Sequence, residues 1–152
     1  MPPTKPSKPR VFVDADVLFA GAAAPSDHGA SLVILRMAEM TLIEAVTSRQ
    51  VIVEVERNLQ HKLSAVLPSF RLVVDRCLQV VADSQPAELS AYKGLADLED
   101  LPILAAAIRE SCPWLVTFNV RHFQPGHPDV EVLRPGDLVR RVRDLLAHLS
   151  VD

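Results

Sequence analysis

Residues 11–21 read VFVDADVLFAG. Residues 10–14 carry a β-branched and aromatic run after Arg10 and end on a carboxylate, the pattern of a short buried strand with Asp14 at its C-terminal rim. From Val17 the pattern changes to that of a helix. A carboxylate at the end of a buried apolar strand loses hydration, which is unfavourable unless donors or a cation meet it. The alternative is helix capping, because Asp is a favoured N-cap residue; Asp16 is the better cap of the two.

The rest of the chain repeats this grammar. The run ASLVILRMAEM (30–40) is apolar at helical spacing, and residues 41–47 return to a strand pattern after the turn-forming PSDHG (25–29). Ser48 is a candidate N-cap for a helix through SRQVIVEVERNLQHKL, and a further helix over LPSFRLVVDRC has Pro68 near its start. Residues 78–82 form another candidate strand. The segment DLEDLPILAAAIRES (97–111) is strongly helical, with acids and Pro102 placed in its first turn. Strands over 114–118 and 130–134 follow, then a helix to about Ser150 with Leu138, Val142, Leu145, Leu146 and Leu149 as an apolar stripe. Alternating strands and helices predict an α/β fold with a mainly parallel sheet, and such sheets build their sites at the C-terminal strand ends.

At 152 residues and 49% hydrophobic content the chain fits one domain over residues 10–152; residues 1–9, with four of the twelve prolines, read as a flexible Pro-rich tail. A net charge of −3 argues against a generally basic nucleic-acid-binding surface but leaves room for a local basic strip. Cys77 and Cys112 have no metal-ligand spacing, so no disulfide is expected and the compartment reads as reducing. Two aspartates interrupt the first apolar run, and no stretch approaches a membrane span, so the protein reads as cytoplasmic with no membrane partner.

Chemistry is sought where strands and helices meet their edges. Glu54 lies among Val51, Ile52, Val53 and Val55, although a lone helical Glu is ordinarily solvated. Asp97 and Asp100, three apart, face one way and repel unless a cation or proton lies between them; their alternative is a dipole-matched helix start. Thr117 and Asn119 stand at the rim after the strand 114–118, where a turn-forming Asn is the ordinary reading. The five histidines show no zinc-binding spacing, and phosphate-binding glycine loops and a nucleophile elbow are absent. Arg49, Arg57, Lys62, Arg121 and the run Arg134, Arg140, Arg141, Arg143 are candidates for phosphate contact, with a solvated helix face the preferred account of that run.

VFVDADVLFAG, VEVERNL, DLEDLPILAAAI and LVTFNVRHF occur in the order and approximate spacing found in PIN-domain proteins. From Arg10 to the last helix the chain resembles that family, particularly small bacterial VapC-like toxins. The resemblance implies a three-layer α/β/α sandwich in which Asp14, Glu54 and Asp100 match the acidic metal-binding positions. It implies Mg²⁺- or Mn²⁺-dependent RNA cleavage, a homodimer and a small antitoxin partner. Hard cations with oxygen ligands suit that chemistry. Two positions depart from the pattern: Asp16 stands where Asn or another neutral polar residue is common, and Asn119 where a fourth acid is common. Asp16 is read as partly replacing that acid, with Asn119 orienting water and Asp97 and Thr117 as auxiliary groups. Two alternatives stand beside this reading. One is a catalytically degenerate PIN scaffold that binds RNA or a protein; the other is a haloacid-dehalogenase-type phosphatase using Asp14 and Asp16, although Val17-Leu18 replaces the usual Gly-Thr.

Overall fold

A computed structural model describes residues 8–24 and 29–149. Apart from Lys8 and Pro9, the tail expected over 1–9 lies outside the described residues, as does most of the turn expected at 25–29. Among the described residues five strands form one parallel sheet: β1 (Arg10–Val13), β2 (Glu44–Ser48), β3 (Leu78–Val81), β4 (Trp114–Val116) and β5 (Glu131–Leu133), ordered β3-β2-β1-β4-β5. The helices are α1 (Ala15–Ala22), α2 (Ala30–Glu39), α3 (Arg49–Lys62), α4 (Leu67–Cys77), α5 (Pro86–Leu89), α6 (Leu101–Arg109) and α7 (Pro135–Leu149). Helices α1 to α4 and α7 pack together on one face, while α6 with α5 covers the other. That division is what right-handed crossovers require when the chain reverses its march across the sheet.

Coverage on both faces explains the apolar run of β1 after Arg10, where Val11, Phe12 and Val13 are fully buried beside Val46 and Leu115. Gly21 allows α1 to approach α2 closely, since a Cβ there would stand 2.7 Å from Leu35 Cδ1 and 3.1 Å from the Ser31 carbonyl oxygen. The reversal of strand order falls between β1 and β4, the topological switch point where ligand sites of open α/β sheets are found.

Several local expectations need correction. Asp14, rather than Asp16, is the N-cap of α1, because its backbone leaves β1 extended and its Oδ1 accepts the Ala15 N–H at 2.8 Å. Ser48 occupies the N-cap position of α3, yet its buried hydroxyl has no hydrogen-bond partner. The cap comes instead from Asp83 beyond β3, whose Oδ1 accepts the Gln50 N–H at 2.7 Å. Asp97, Glu99 and Asp100 form a turn before α6 rather than its first turn, with the Asp97 carbonyl accepting the N–H groups of Asp100 and Leu101. The stripe on α7 is buried at Leu138 and Val142 but exposed at Leu145 and Leu146. Both cysteines are free, and no described helix is long and apolar enough to cross a membrane.

This division of labour at the start of α3 makes a prediction. Asp83→Ala will lower unfolding free energy in denaturant titrations by about 1 kcal/mol, the usual value of an N-cap. Ser48→Ala will change it little, because no hydrogen bond is lost.

Candidate functional site

Asp14 is 9% exposed at the end of β1. The β1–β4 ladder continues through it, with the Asp14 N–H donating to the Val116 carbonyl at 3.1 Å, so its neighbour across the switch point is Thr117. The single Thr117 hydroxyl proton is shared between Asp14 Oδ2 at 2.9 Å and Asp16 Oδ2 at 3.3 Å. The Asn119 N–H donates to the same hydroxyl oxygen at 3.1 Å and fixes its orientation. Asp16 Oδ2 also accepts the Phe118 N–H at 3.0 Å and the Asn119 side-chain N–H at 3.2 Å. Its other oxygen, Oδ1, is buried with no partner.

On the other side of the rim Asp100 Oδ2 lies 3.2 Å from His122 Nδ1. Ligand atoms of Asp97, Asp100 and His122 all fall within 4.8 Å of one another. His122 sits in a 3₁₀ turn after β4 (Val120–Phe123), and its carbonyl accepts the Asp97 N–H at 2.7 Å, which pins the two loops together.

The charges are under strain. Burial, then the neighbouring Asp16, and also Asp100, push the Asp14 carboxyl up from 3.8 to about 6, against the hydrogen bonds from Ala15 and Thr117. Burial raises Asp16 as well, opposed first by the Phe118 amide. Asp100 is raised by burial and by Asp97 and Glu99, with His122 working in the opposite direction. Acids gathered in a partly dehydrated rim are the oxygen donors that a hard divalent cation takes, and such an ion would neutralise their repulsion.

Asp14, Asp16, Asp97, Asp100, Thr117 and Asn119 thus gather at the C-terminal edge between β1, β4 and the start of α6. Glu54 does not join them by contact: it is exposed on α3, and among the described residues no hydrogen bond or ion pair ties it to Asp14 or Asp100. His122 was not singled out by sequence reasoning, since its only signal is position shortly after Asn119 and its partner is remote in the chain. The run of arginines separates cleanly. Arg140, Arg141 and Arg143 are surface residues paired with Asp137, Glu131 and Asp144, as the solvated-face account expects, whereas Arg134 has no ion pair among the described residues. A cavity of about 550 Å³ opens at the opposite edge, lined by residues preceding β1 and β4 such as Pro9 and Pro113, far from these acids along the strands.

Fold and site together define a parallel α/β domain with a carboxylate rim at its switch point. A PIN-domain model matches residues 10–121, and the chain belongs to the PIN-domain family. A chain of the VapBC2 complex of Rickettsia felis, solved bound to a DNA fragment from its promoter, shares the fold. It has 17% sequence identity and a TM-score of 0.60, and the match covers 82% of this chain and 98% of that one. Comparison with curated proteins gave no match. PIN domains are generally metal-dependent nucleases, and membership sets aside the phosphatase alternative.

The raised Asp14 carboxyl predicts how metal-free protein responds to pH. Between about 4 and about 6 the folded state keeps a proton that the unfolded chain releases, so stability falls as pH rises through that window and stays low above it. The penalty at neutral pH is about 3 kcal/mol. Asp14→Asn will therefore raise the melting temperature in EDTA at pH 7.5, and the difference from wild type will vanish near pH 4.

Proposed function

We propose that this chain is an Mg²⁺- or Mn²⁺-dependent endoribonuclease of the toxin–antitoxin kind, with Asp14, Glu54 and Asp100 holding the ion. The observation that carries this reading is the gathering of Asp14, buried at the end of β1, with Asp16 and Asp100 at the switch point, in a chain of this family. The ion, when bound, supplies a water acidified for attack on the phosphodiester and charge to offset that on the phosphate.

The protein's own groups have separate tasks. Asp14 is held by the Ala15 amide and the Thr117 hydroxyl, so its carboxylate is oriented before any ligand arrives. Asp16 is braced by Phe118 and Asn119 and stands in for the acid that Asn119 replaces. The Asn119 side chain, donating to Asp16 through its nitrogen, keeps its oxygen for orienting water. His122 steadies Asp100, and Asp97 acts as an auxiliary acid beside them. Glu54 is assigned to this set by the family resemblance; it stands exposed on α3, which starts at the same edge of the sheet because β2 ends there. A small antitoxin partner, a homodimer and a cytoplasmic location belong to the same reading.

Cleavage of a mixed RNA pool with Mg²⁺ or Mn²⁺ tests it. Asp14→Asn, Glu54→Gln and Asp100→Asn are expected to abolish cutting, as is EDTA. Lack of cutting by folded wild type in both metals would sink the nuclease and leave a binding scaffold.

The contact between Asp16 and Asn119 allows a sharper test. Asn119→Asp sets two carboxylates against each other, and Asp16→Asn leaves two amides; each single change is expected to lower the cleavage rate roughly 10- to 100-fold. The double exchange restores one acid and one amide and is expected to recover most of the rate. Additive losses in the double variant would refute the pairing.

A further inference from the structure

One group at the rim mixes ligand chemistries. Among the described residues, Asp97, Asp100 and His122 are the only three Asp, Glu, His or Cys side chains whose ligand atoms all lie within 4.8 Å of one another, and they combine two carboxylates with an imidazole.

The backbone brings them together before any ligand arrives. The Asp97 carbonyl accepts the N–H groups of Asp100 and Leu101, both at 2.9 Å, which fixes the turn before α6. The Asp97 N–H donates to the His122 carbonyl at 2.7 Å and joins that turn to the one after β4. Asp97 and His122 are exposed and Asp100 is only partly covered, so an ion can enter and keep some of its water.

His122 Nδ1 and Asp100 Oδ2, 3.2 Å apart, turn lone pairs toward each other when the imidazole carries its hydrogen on Nε2. A positive centre is then required between them. In metal-free protein a proton on Nδ1 supplies it, and the contact steadies Asp100; a cation can take the proton's place. Bonds of about 2.1 Å set neighbouring ligands of an octahedral ion about 3 Å apart and opposite ligands about 4.2 Å apart. The pair is thus spaced for neighbouring positions on one ion, and the third ligand atom needs only a small side-chain rotation.

The nitrogen decides which ion is favoured. Mg²⁺ keeps to oxygen ligands and dehydrates reluctantly, whereas divalent ions of the first transition row accept imidazole and bind mixed nitrogen and oxygen sets more tightly. We infer that Asp97, Asp100 and His122 together bind a divalent transition-metal ion, His122 through Nδ1, and that this nitrogen makes the position favour such an ion over Mg²⁺. Asp100 is common to this set and to the one proposed for cleavage, so the inference rests on the ribonuclease reading for what the ion does, and not for its binding.

Mn²⁺ is the probe, because its unpaired electrons report a nitrogen bonded to it. Pulsed EPR of the full chain loaded with Mn²⁺, without RNA, is expected to show hyperfine coupling to a ligand nitrogen. His122→Asp, which keeps a carboxylate within reach of the ion, is expected to lose that coupling. In competition titrations wild type is expected to hold Mn²⁺ roughly 10- to 100-fold more tightly than Mg²⁺, with the ratio falling roughly tenfold in His122→Asp. A histidine that only orients Asp100 would weaken both ions together and give no nitrogen coupling. Failure to bind Mn²⁺, or bound Mn²⁺ without nitrogen coupling in wild type, overturns the inference whatever the variant does, as does coupling that survives His122→Asp. RNA cleavage without the coupling leaves the ribonuclease standing and removes His122 from the ion. Coupling without cleavage keeps the ion position and rejects the ribonuclease.

Discussion

The placement of Asp14 governs the rest of the site. Between its two covered faces the middle of the sheet leaves no room for charge at Val11, Phe12 and Val13, so Asp14 is the first place after them where an acid is tolerated. There the carboxylate remains largely dehydrated, held between the Ala15 amide and the Thr117 hydroxyl. Its two oxygens are each satisfied once, which keeps the group in place, but two hydrogen bonds do not offset burial beside Asp16. The result is a rim that is geometrically rigid and electrostatically unfavourable. That combination is expected of a binding site whose stability is surrendered for function.

The elements that could be read from the chain are those set by local periodicity: the buried run ending at Asp14, the acids before α6, and the strand ending near Thr117. Their convergence at one edge follows from topology, because successive βα units place every strand end on the same side. What escaped sequence reasoning depends on partners distant in the chain. Asp83 caps α3 from beyond β3, and no local pattern distinguishes it from a surface acid. His122 becomes significant only through its 3.2 Å approach to Asp100. The same limit applies to choosing between Asp14 and Asp16 as the cap. Composition favours both, and the decision is made by β4, whose following loop engages Asp16 through Phe118 and Asn119.

That engagement gives the departures from the family pattern a common physical basis. An acid at 16 and an amide at 119 are within hydrogen-bond distance, so their identities are not independent. Two acids would repel across 3.2 Å, and two amides would leave the Phe118 N–H facing a weaker acceptor. One acid and one amide keep a charge-assisted hydrogen bond between 16 and 119 in either order, although with the amide at 16 the Phe118 N–H meets an amide oxygen. Position 119 is therefore read together with position 16, its hydrogen-bond partner.

A rim of carboxylates is an unlikely landing place for a polyanion, since even a divalent ion offsets only part of their charge, and strand ends offer few cations of their own. A cation bound among the acids would change that field at its source, because Asp14 stands beside Asp16 and is also influenced by Asp100, and repulsion between them is magnified by burial. The net charge of −3 says little about such a site, since the local arrangement of charge and not its sum decides what the rim attracts.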